Sequence, residues 1–294
     1  MIIKEILQKN INKLKQNNIS TPHLDAEILL SYILKKPREH ILTYSNFELN
    51  NKQIIKFEKL IQERLKNKPI AYLINYKSFY NLDFYVNKNV LIPRPETELM
   101  IDEAILKIQK TKNKNDWLIV DIGTGSGCII ISIAKNLLNN KKYNFLAIDI
   151  SKQALKIANQ NAKLNKINKK INFIDGNLLL PFLKNKKLKT KKYNLIILAN
   201  LPYLTPNQIK KSPTIQYEPQ IALTAENDGL KYYKKLFFQI SKLSLNNYNQ
   251  ITSICEFDSS QTQKIRDISK KYLPNYKIKI KKDLSKKNRF IILS

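Results

Sequence analysis

From the amino end, apolar positions recur at helical spacing. Ile3, Ile6, Ile11 and Leu14 share one face between Met1 and about Gln16. Thr21-Pro22 offers a cap and a first-turn proline for a second helix through Leu24, Ile28, Leu29 and Ile33. Pro37 opens a short turn, and Asn50 is placed to cap a helix with Ile54, Phe57, Ile61 and Leu65 on one side. Residues 1–70 therefore predict a small all-helical domain. The pattern then turns β-rich over Ala71–Ile74 and Ser78–Val86, with Asn81 at an easy turn. A hairpin linker is expected over 71–94, with helical patterning again after Pro95.

Beyond Trp117 the period alternates between strand and helix. Predicted strands are Trp117–Ile122, Asn144–Asp149, Ile171–Ile174, Tyr193–Ala199, Gln250–Phe257, Tyr276–Ile280 and Phe290–Leu293. Helices are expected over Ser126–Leu138, Ser151–Leu164, Asp228–Leu243 and Ser259–Tyr272. Such alternation predicts an α/β domain, residues 95–294, with a doubly wound, Rossmann-like sheet covered by helices on both faces.

Composition adds two constraints. A hydrophobic fraction of 43% with 26% charged residues excludes a disordered or collagen-like chain. The net charge of +29 points towards nucleic acid, but the lysines run along the whole length and there are five arginines (Arg38, Arg64, Arg94, Arg266 and Arg289). Compositional drift explains this spread better than a dedicated surface, and the tightest cluster, Lys184–Lys192, reads as a solvated loop. Cys128 and Cys255 fit buried, reduced thiols. His23 and His40 have no partners that suggest a metal site, so no metal is expected. The first ten residues lack the apolar core of a signal peptide, and no apolar run approaches the length of a membrane span. A cytoplasmic protein is expected.

Scarcity of glycine is more informative. There are 5 glycines where average usage gives about 20, and three fall in Val120-Asp121-Ile122-Gly123-Thr124-Gly125-Ser126-Gly127-Cys128. This run ends an apolar strand and opens a helix, the context in which glycines let a backbone approach a ligand. Asp149, at the end of the next strand, can accept both hydroxyls of a ribose. Asn200-Leu201-Pro202-Tyr203 ends the fourth strand, where the crevice of an open α/β sheet lies. There the Asn200 side chain and a neighbouring main-chain carbonyl can hold both N–H bonds of a planar nitrogen, and Tyr203 can pack against a planar substrate group.

The glycine run with its leading acid resembles motif I of class I S-adenosylmethionine-dependent methyltransferases. Leu91-Ile92-Pro93-Arg94-Pro95-Glu96-Thr97-Glu98, with Pro69-Ile70-Ala71-Tyr72-Leu73 and Phe79-Tyr80 upstream, extends the likeness over essentially the whole chain. The chain resembles the release-factor glutamine methyltransferases (the PrmC/HemK family). The resemblance implies methyl transfer from S-adenosylmethionine to the side-chain amide of the glutamine in the Gly-Gly-Gln motif of class I peptide-chain release factors. It also implies a monomer with a protein substrate, needing neither nucleic acid nor membrane, whose helical domain serves substrate recognition. By motif, Gly123, Thr124, Gly125, Ser126, Gly127, Asp149, Asn177, Leu178 and Asn200 are expected at the cofactor, and Asn200, Leu201, Pro202 and Tyr203 at the glutamine.

Arg94, Glu96 and Glu98 read equally as a charged helix start or as a frame for the site, and Glu218-Pro219 as a turn or the cleft border. Leu201 stands where the family usually has proline, Asn177 where aspartate is common, and Asn75 and Asn81 where glycine is frequent; asparagine tolerates the left-handed backbone. Asn-Leu-Pro-Tyr also suits an adenine N-methyltransferase acting on RNA or DNA. A third reading is a cofactor-binding docking module without turnover.

Overall fold

A computed structural model describes residues 1–111, 116–137, 142–184, 192–210, 214–225, 228–243 and 247–294. Residues 185–191, the body of the Lys184–Lys192 cluster, and Leu138 lie outside the described residues. Contacts divide the chain into two units, Met1–Tyr76 with Pro213–Tyr217, and Lys77–Ser212 with Glu218–Ser294. Among the described residues no helix is long and apolar enough to cross a membrane.

The first unit is helical: α1 (Ile3–Gln16), α2 (Pro22–Leu34), α3 (Arg38–Thr43), α4 (Asn51–Leu65) and α5 (Ile70–Ile74). Its core gathers Ile3, Ile6, Leu14, Leu29, Phe57 and Ile61. Asn50 caps α4 as its sequence suggests, accepting from Gln53 N at 2.9 Å while Gln53 Oε1 accepts from Asn50 N at 2.9 Å. The strand expected over Ala71–Ile74 is instead the single-turn helix α5, entered after Pro69 and closed by Asn75 in the left-handed region at φ +53°. The run is too short to show a period, and a helical turn buries Tyr72 and Leu73 without needing a partner strand.

One buried ion pair crosses this unit. Arg64 Nε lies 2.7 Å from Asp25 Oδ2, with both side chains almost wholly enclosed. Thr21 Oγ1 donates to the other Asp25 oxygen at 2.9 Å.

The second unit opens with a hairpin, β1 (Lys77–Phe79) and β2 (Leu82–Phe84). Tyr80 and Asn81 form its turn, both left-handed at φ +50° and +57°, as a two-residue hairpin loop requires. Its Phe79 and Phe84 belong to the core that also contains Met100, Ile101 and Ile129, so the hairpin is part of this unit. There follow α6 (Glu98–Lys110), β3 (Trp117–Ile122), α7 (Cys128–Asn136), β4 (Tyr143–Asp149), α8 (Lys152–Leu164), β5 (Ile171–Asp175), α9 (Leu180–Lys184), β6 (Tyr193–Ala199) and α10 (Pro206–Lys210). The chain ends with α11 (Lys231–Ser241), β7 (Tyr248–Glu256), α12 (Thr262–Tyr272), β8 (Ile278–Lys282) and β9 (Asn288–Leu293).

These strands form a seven-stranded sheet in the order β5-β4-β3-β6-β7-β9-β8. Pairings are parallel from β5 through β7 and antiparallel at β7–β9 and β9–β8. Alternate residues feed two cores. Leu118, Val120, Leu195 and Ile197 face α11 and α12, whereas Ile119, Phe145, Ile196 and Leu198 face α6 and α7. Burial on both faces explains why these strands read as near-continuous apolar runs.

Removing one partner of the Asp25–Arg64 pair would leave an uncompensated buried charge. Arg64→Leu is expected to destabilise the helical unit by about 3–5 kcal/mol, read as a shift in its chemical denaturation midpoint. A shift no larger than that of a surface substitution would contradict this.

Candidate active site

The sheet order places the site. From β3 the chain winds outward through β4 and β5, then returns to the other side of β3 as β6. Ile122 pairs with Ala199, so Gly123 and Asn200 leave the two strand ends side by side at this switch point. Ala199 in turn pairs with Cys255, which brings Glu256 beside Asn200.

The glycine loop is held from below. Gly123 N and Thr124 N donate to Ile148 O at 2.8 and 3.1 Å. Thr124 Oγ1 donates to Asp121 Oδ2 at 2.6 Å, while Asp121 Oδ1 has no hydrogen-bond partner although it is fully buried. Burial pushes the Asp121 carboxyl up to about 7, against the Thr124 hydrogen bond and reinforced by the charge of Asp149. Asp149 accepts from Gly125 N and Ser151 N, each at 2.8 Å. Burial raises its pKa as well, opposed by those N–H groups.

The glycines do different work. Gly125 has φ +55°, and a Cβ there would meet no heavy atom nearer than 3.9 Å, so a side chain would project into open space at the loop. Gly127 has φ +81°, and its Cβ would come within 2.8 Å of Ile131 Cδ1 and 3.1 Å of Ala158 Cβ. It is a packing glycine that lets α7 begin against α8.

The Asn200 amide is anchored through its nitrogen. Nδ2 donates to Thr97 Oγ1 at 3.1 Å and to Glu256 Oε2 at 3.0 Å. The nitrogen therefore faces Thr97 and Glu256, and Oδ1 is the acceptor that remains. Glu256, 1% exposed, also accepts from Thr97 Oγ1 at 2.7 Å and from Tyr203 Oη at 3.1 Å. Burial raises its pKa, opposed first by the Thr97 and Tyr203 hydrogen bonds. Tyr233 Oη donates to Glu256 O and accepts from Leu201 N at 3.2 Å.

A cavity of about 280 Å³ opens over these elements. Of the residues expected at the site, Gly123, Thr124, Gly125, Ser126, Asp149, Asn177, Leu178, Asn200, Leu201 and Pro202 line it. Gly127 and Tyr203 are not among the lining residues. Gly127 is turned into helix packing, and the Tyr203 hydroxyl donates to Glu256. Arg94 lines the cavity, but Glu96 and Glu98 do not; Glu98 instead accepts from Tyr80 N at 2.8 Å. Glu218, 3% exposed, takes the Arg94 guanidinium and Ile92 N. That pair ties the wall containing Pro93 and Arg94 to the wall containing Pro219. Cys128 also lines the cavity, and burial pushes its thiol up to about 12.

Sequence reading missed Thr97 and Glu256. Thr97 lay within a motif whose charged residues drew attention. Glu256 had one signal, an acid ending an otherwise uncharged strand. Gly229 packs directly against Tyr203. Its φ is +69° and a Cβ there would lie 2.1 Å from Tyr203 O, which Gln261 Nε2 also holds at 2.9 Å.

Comparison with known proteins agrees with this architecture. The family model of the PrmC N-terminal domain matches residues 5–74, and that of ribosomal protein L11 methyltransferase (PrmA) matches residues 98–204. A release factor glutamine methyltransferase of Mycoplasma mycoides is 39% identical, covering 96% of both chains. One of Leptospira interrogans is 37% identical over 99% of this chain and 98% of its own. A bifunctional methyltransferase of Rickettsia typhi is 37% identical over 99% of this chain, which spans only 57% of that relative's length. Among solved structures, the N-terminal domain of human METTL16 in complex with SAH superposes with a TM-score of 0.52 at 15% identity, covering 90% and 93% of the two chains. At that identity the likeness carries the fold alone, a class I methyltransferase sheet.

Asp121 generates a pH prediction. Its folded pKa of about 7 exceeds the ordinary 3.8, so the native state binds the proton more tightly than the unfolded chain. The resulting stabilisation is complete below the ordinary value and is lost as pH rises through about 7. Asp121→Asn abolishes this titration, so its melting temperature relative to the wild type is expected to climb between about pH 4 and 7 and level off above. Thermal scans across that range showing a constant difference would contradict the assignment.

Proposed function

Because the chain belongs to the family of release factor glutamine methyltransferases, we propose that it methylates the side-chain amide nitrogen of the glutamine in the Gly-Gly-Gln motif of class I release factors, with S-adenosylmethionine as methyl donor. The observation that carries this reading is the Asn200 amide, whose nitrogen donates towards Thr97 and Glu256 while its carbonyl oxygen remains to accept.

The residues present fit that donor. The space beside Gly125 admits a ligand where any Cβ would intrude. Each Asp149 oxygen accepts one N–H and retains a lone pair for a ribose hydroxyl. Asn177 and Leu178 stand on the same cavity, beside which an adenine would rest. When bound, the donor supplies an electrophilic methyl group on a sulfonium.

The chain's own residues address the other reactant. An amide nitrogen is a weak nucleophile because its lone pair is delocalised. Asn200 Oδ1 and Leu201 C=O accept its two hydrogens, fix its direction and stabilise the positive charge it develops. The Leu201 carbonyl keeps its capacity for this, since the single Tyr233 hydroxyl hydrogen goes to Glu256 O. The leucine in the proline position leaves that carbonyl unaltered. Its side chain packs over Gly123, where a Cβ would approach Leu201 Cδ2 to 3.1 Å. In this reading the helical unit recognises the release factor, and the protein acts in the cytoplasm as a monomer, without nucleic acid.

The direct test incubates the protein with methyl-labelled donor and a release factor carrying Gly-Gly-Gln or Gly-Gly-Ala. Label confined to the first is expected; equal labelling, or label passing to nucleic acid, would overturn the reading. Asn200→Ala is expected to lower kcat about 100- to 1,000-fold while leaving donor affinity nearly unchanged by calorimetry. Asp149→Ala should weaken donor binding first. Loss of donor binding in Asn200→Ala would contradict this division of roles.

A further inference from the structure

A side-chain amide can face a cavity in two ways, and for Asn200 they are chemically opposite. One presents a hydrogen-bond acceptor, the other a donor. We propose that Glu256 is a positioning residue that holds the Asn200 amide with its oxygen towards the cavity and, through its main chain, also fixes the Leu201 peptide, so that the site presents two acceptors and selects a nitrogen bearing two hydrogens. The inference rests on the methyl-transfer reading above for its consequence, though the geometry stands independently.

Thr97, Asn200 and Tyr203 all direct donors at the Glu256 carboxylate, so it acts here as an acceptor. Thr97 has one hydroxyl hydrogen and gives it to Glu256 Oε2 at 2.7 Å, so towards Asn200 its oxygen can only accept. Both groups behind the amide therefore demand its NH₂. Rotating the amide would set Oδ1 against two acceptors and would turn two donors towards a substrate NH₂, where no hydrogen bond could form. Thr97 and Glu256 together decide the orientation.

The second half of the acceptor pair is tied to the same residue. Glu256 O accepts from Tyr233 Oη, and that oxygen receives Leu201 N at 3.2 Å. One residue at the end of β7 thus holds both the side chain and the peptide that would embrace the substrate nitrogen. Its side chain also takes the Tyr203 hydroxyl at 3.1 Å, securing the far end of the Asn200–Tyr203 segment.

The charge has its own effect. A buried anion behind the NH₂ polarises the amide and makes Oδ1 more negative, which favours a nitrogen that becomes cationic as it is methylated. A neutral glutamine would fill the same volume. It would lose that polarisation and, because it brings its own NH₂, could not accept from Thr97, Asn200 and Tyr203 together.

Glu256→Gln tests this with three readings on the full chain. Donor affinity is expected to stay within about threefold of the wild type, and kcat on the release factor to fall about 100-fold with a smaller change in KM. The third reading is the side-chain NH₂ of Asn200 in ¹⁵N-labelled protein, identified by its disappearance in Asn200→Asp. In the wild type this pair should be protected from solvent exchange, and in Glu256→Gln the protection should be lost. Thr97→Val, which removes one of the two acceptors, should shift exchange in the same direction and serves where Glu256→Gln does not fold. Unchanged kcat, or an Asn200 amide equally protected in the variants, would overturn the proposal. If the wild type methylates no release factor the functional reading fails, while the exchange measurement still decides whether Glu256 orients the amide.

Discussion

A buried carboxylate must be met by donors, and Glu256 draws its own from parts of the chain far apart in sequence. Thr97 lies 159 positions away, and Asn200 and Tyr203 lie 56 and 53. Because an unsatisfied buried charge costs several kcal/mol, these segments are constrained together: the start of α6, the exit of β6 and the end of β7. Parallel pairing of β6 with β7 sets the register that makes this reachable, since Ala199 opposite Cys255 leaves Asn200 next to Glu256. The proposed chemistry then uses what remains after the carboxylate has been satisfied, one carbonyl on the Asn200 side chain and one on the Leu201 peptide.

The cavity mixes both signs of charge: Arg94, Lys231 and Lys235 line it together with Asp149. The protein carries +29 overall, yet the carboxylates of Asp121, Asp149, Glu218 and Glu256 are all buried around the cavity or directly beneath it. Arg94 answers Glu218, and backbone N–H groups answer Asp149. Asp121 retains an oxygen with no partner. Glu256 directly behind Asn200 favours a nitrogen that gains positive charge, so the local field rather than the net charge bears on the reaction.

Much of the fold was readable because both faces of the sheet are buried, which turns strands β3, β4 and β6 into runs whose charged residues are Asp121 and Asp149 alone. Helical period and the Asn50 cap were enough for α1, α2 and α4. The helix α5 was not readable: four of its five residues, Ala71–Ile74, include tyrosine and isoleucine, which suit a strand, and only packing in the helical core decides otherwise. At the site, Gly123 and Gly125 stood out because glycine is scarce here and each has a backbone that other residues rarely adopt. Gly127 shares that conformation for a different reason, close contact between α7 and α8, which spacing alone does not distinguish. Tyr203 was expected to face the substrate because its ring suits a planar group. Its hydroxyl serves the buried acid, a demand that arises only once Glu256 is next to it. Thr97 and Glu256 were hidden because a polar residue's worth depends on its neighbours in space, and these neighbours come from three separate stretches.

The central claim is that two acceptors, Asn200 Oδ1 and Leu201 O, grip one planar nitrogen at the switch point of the sheet. A crystal structure of the protein with S-adenosylhomocysteine and a release factor bearing Gly-Gly-Gln tests it most directly. The glutamine side-chain nitrogen is predicted within about 3 Å of both oxygens, with the Asn200 nitrogen still turned to Thr97 and Glu256. A glutamine nitrogen bonded elsewhere, or an Asn200 amide with its NH₂ towards the substrate, would contradict the account.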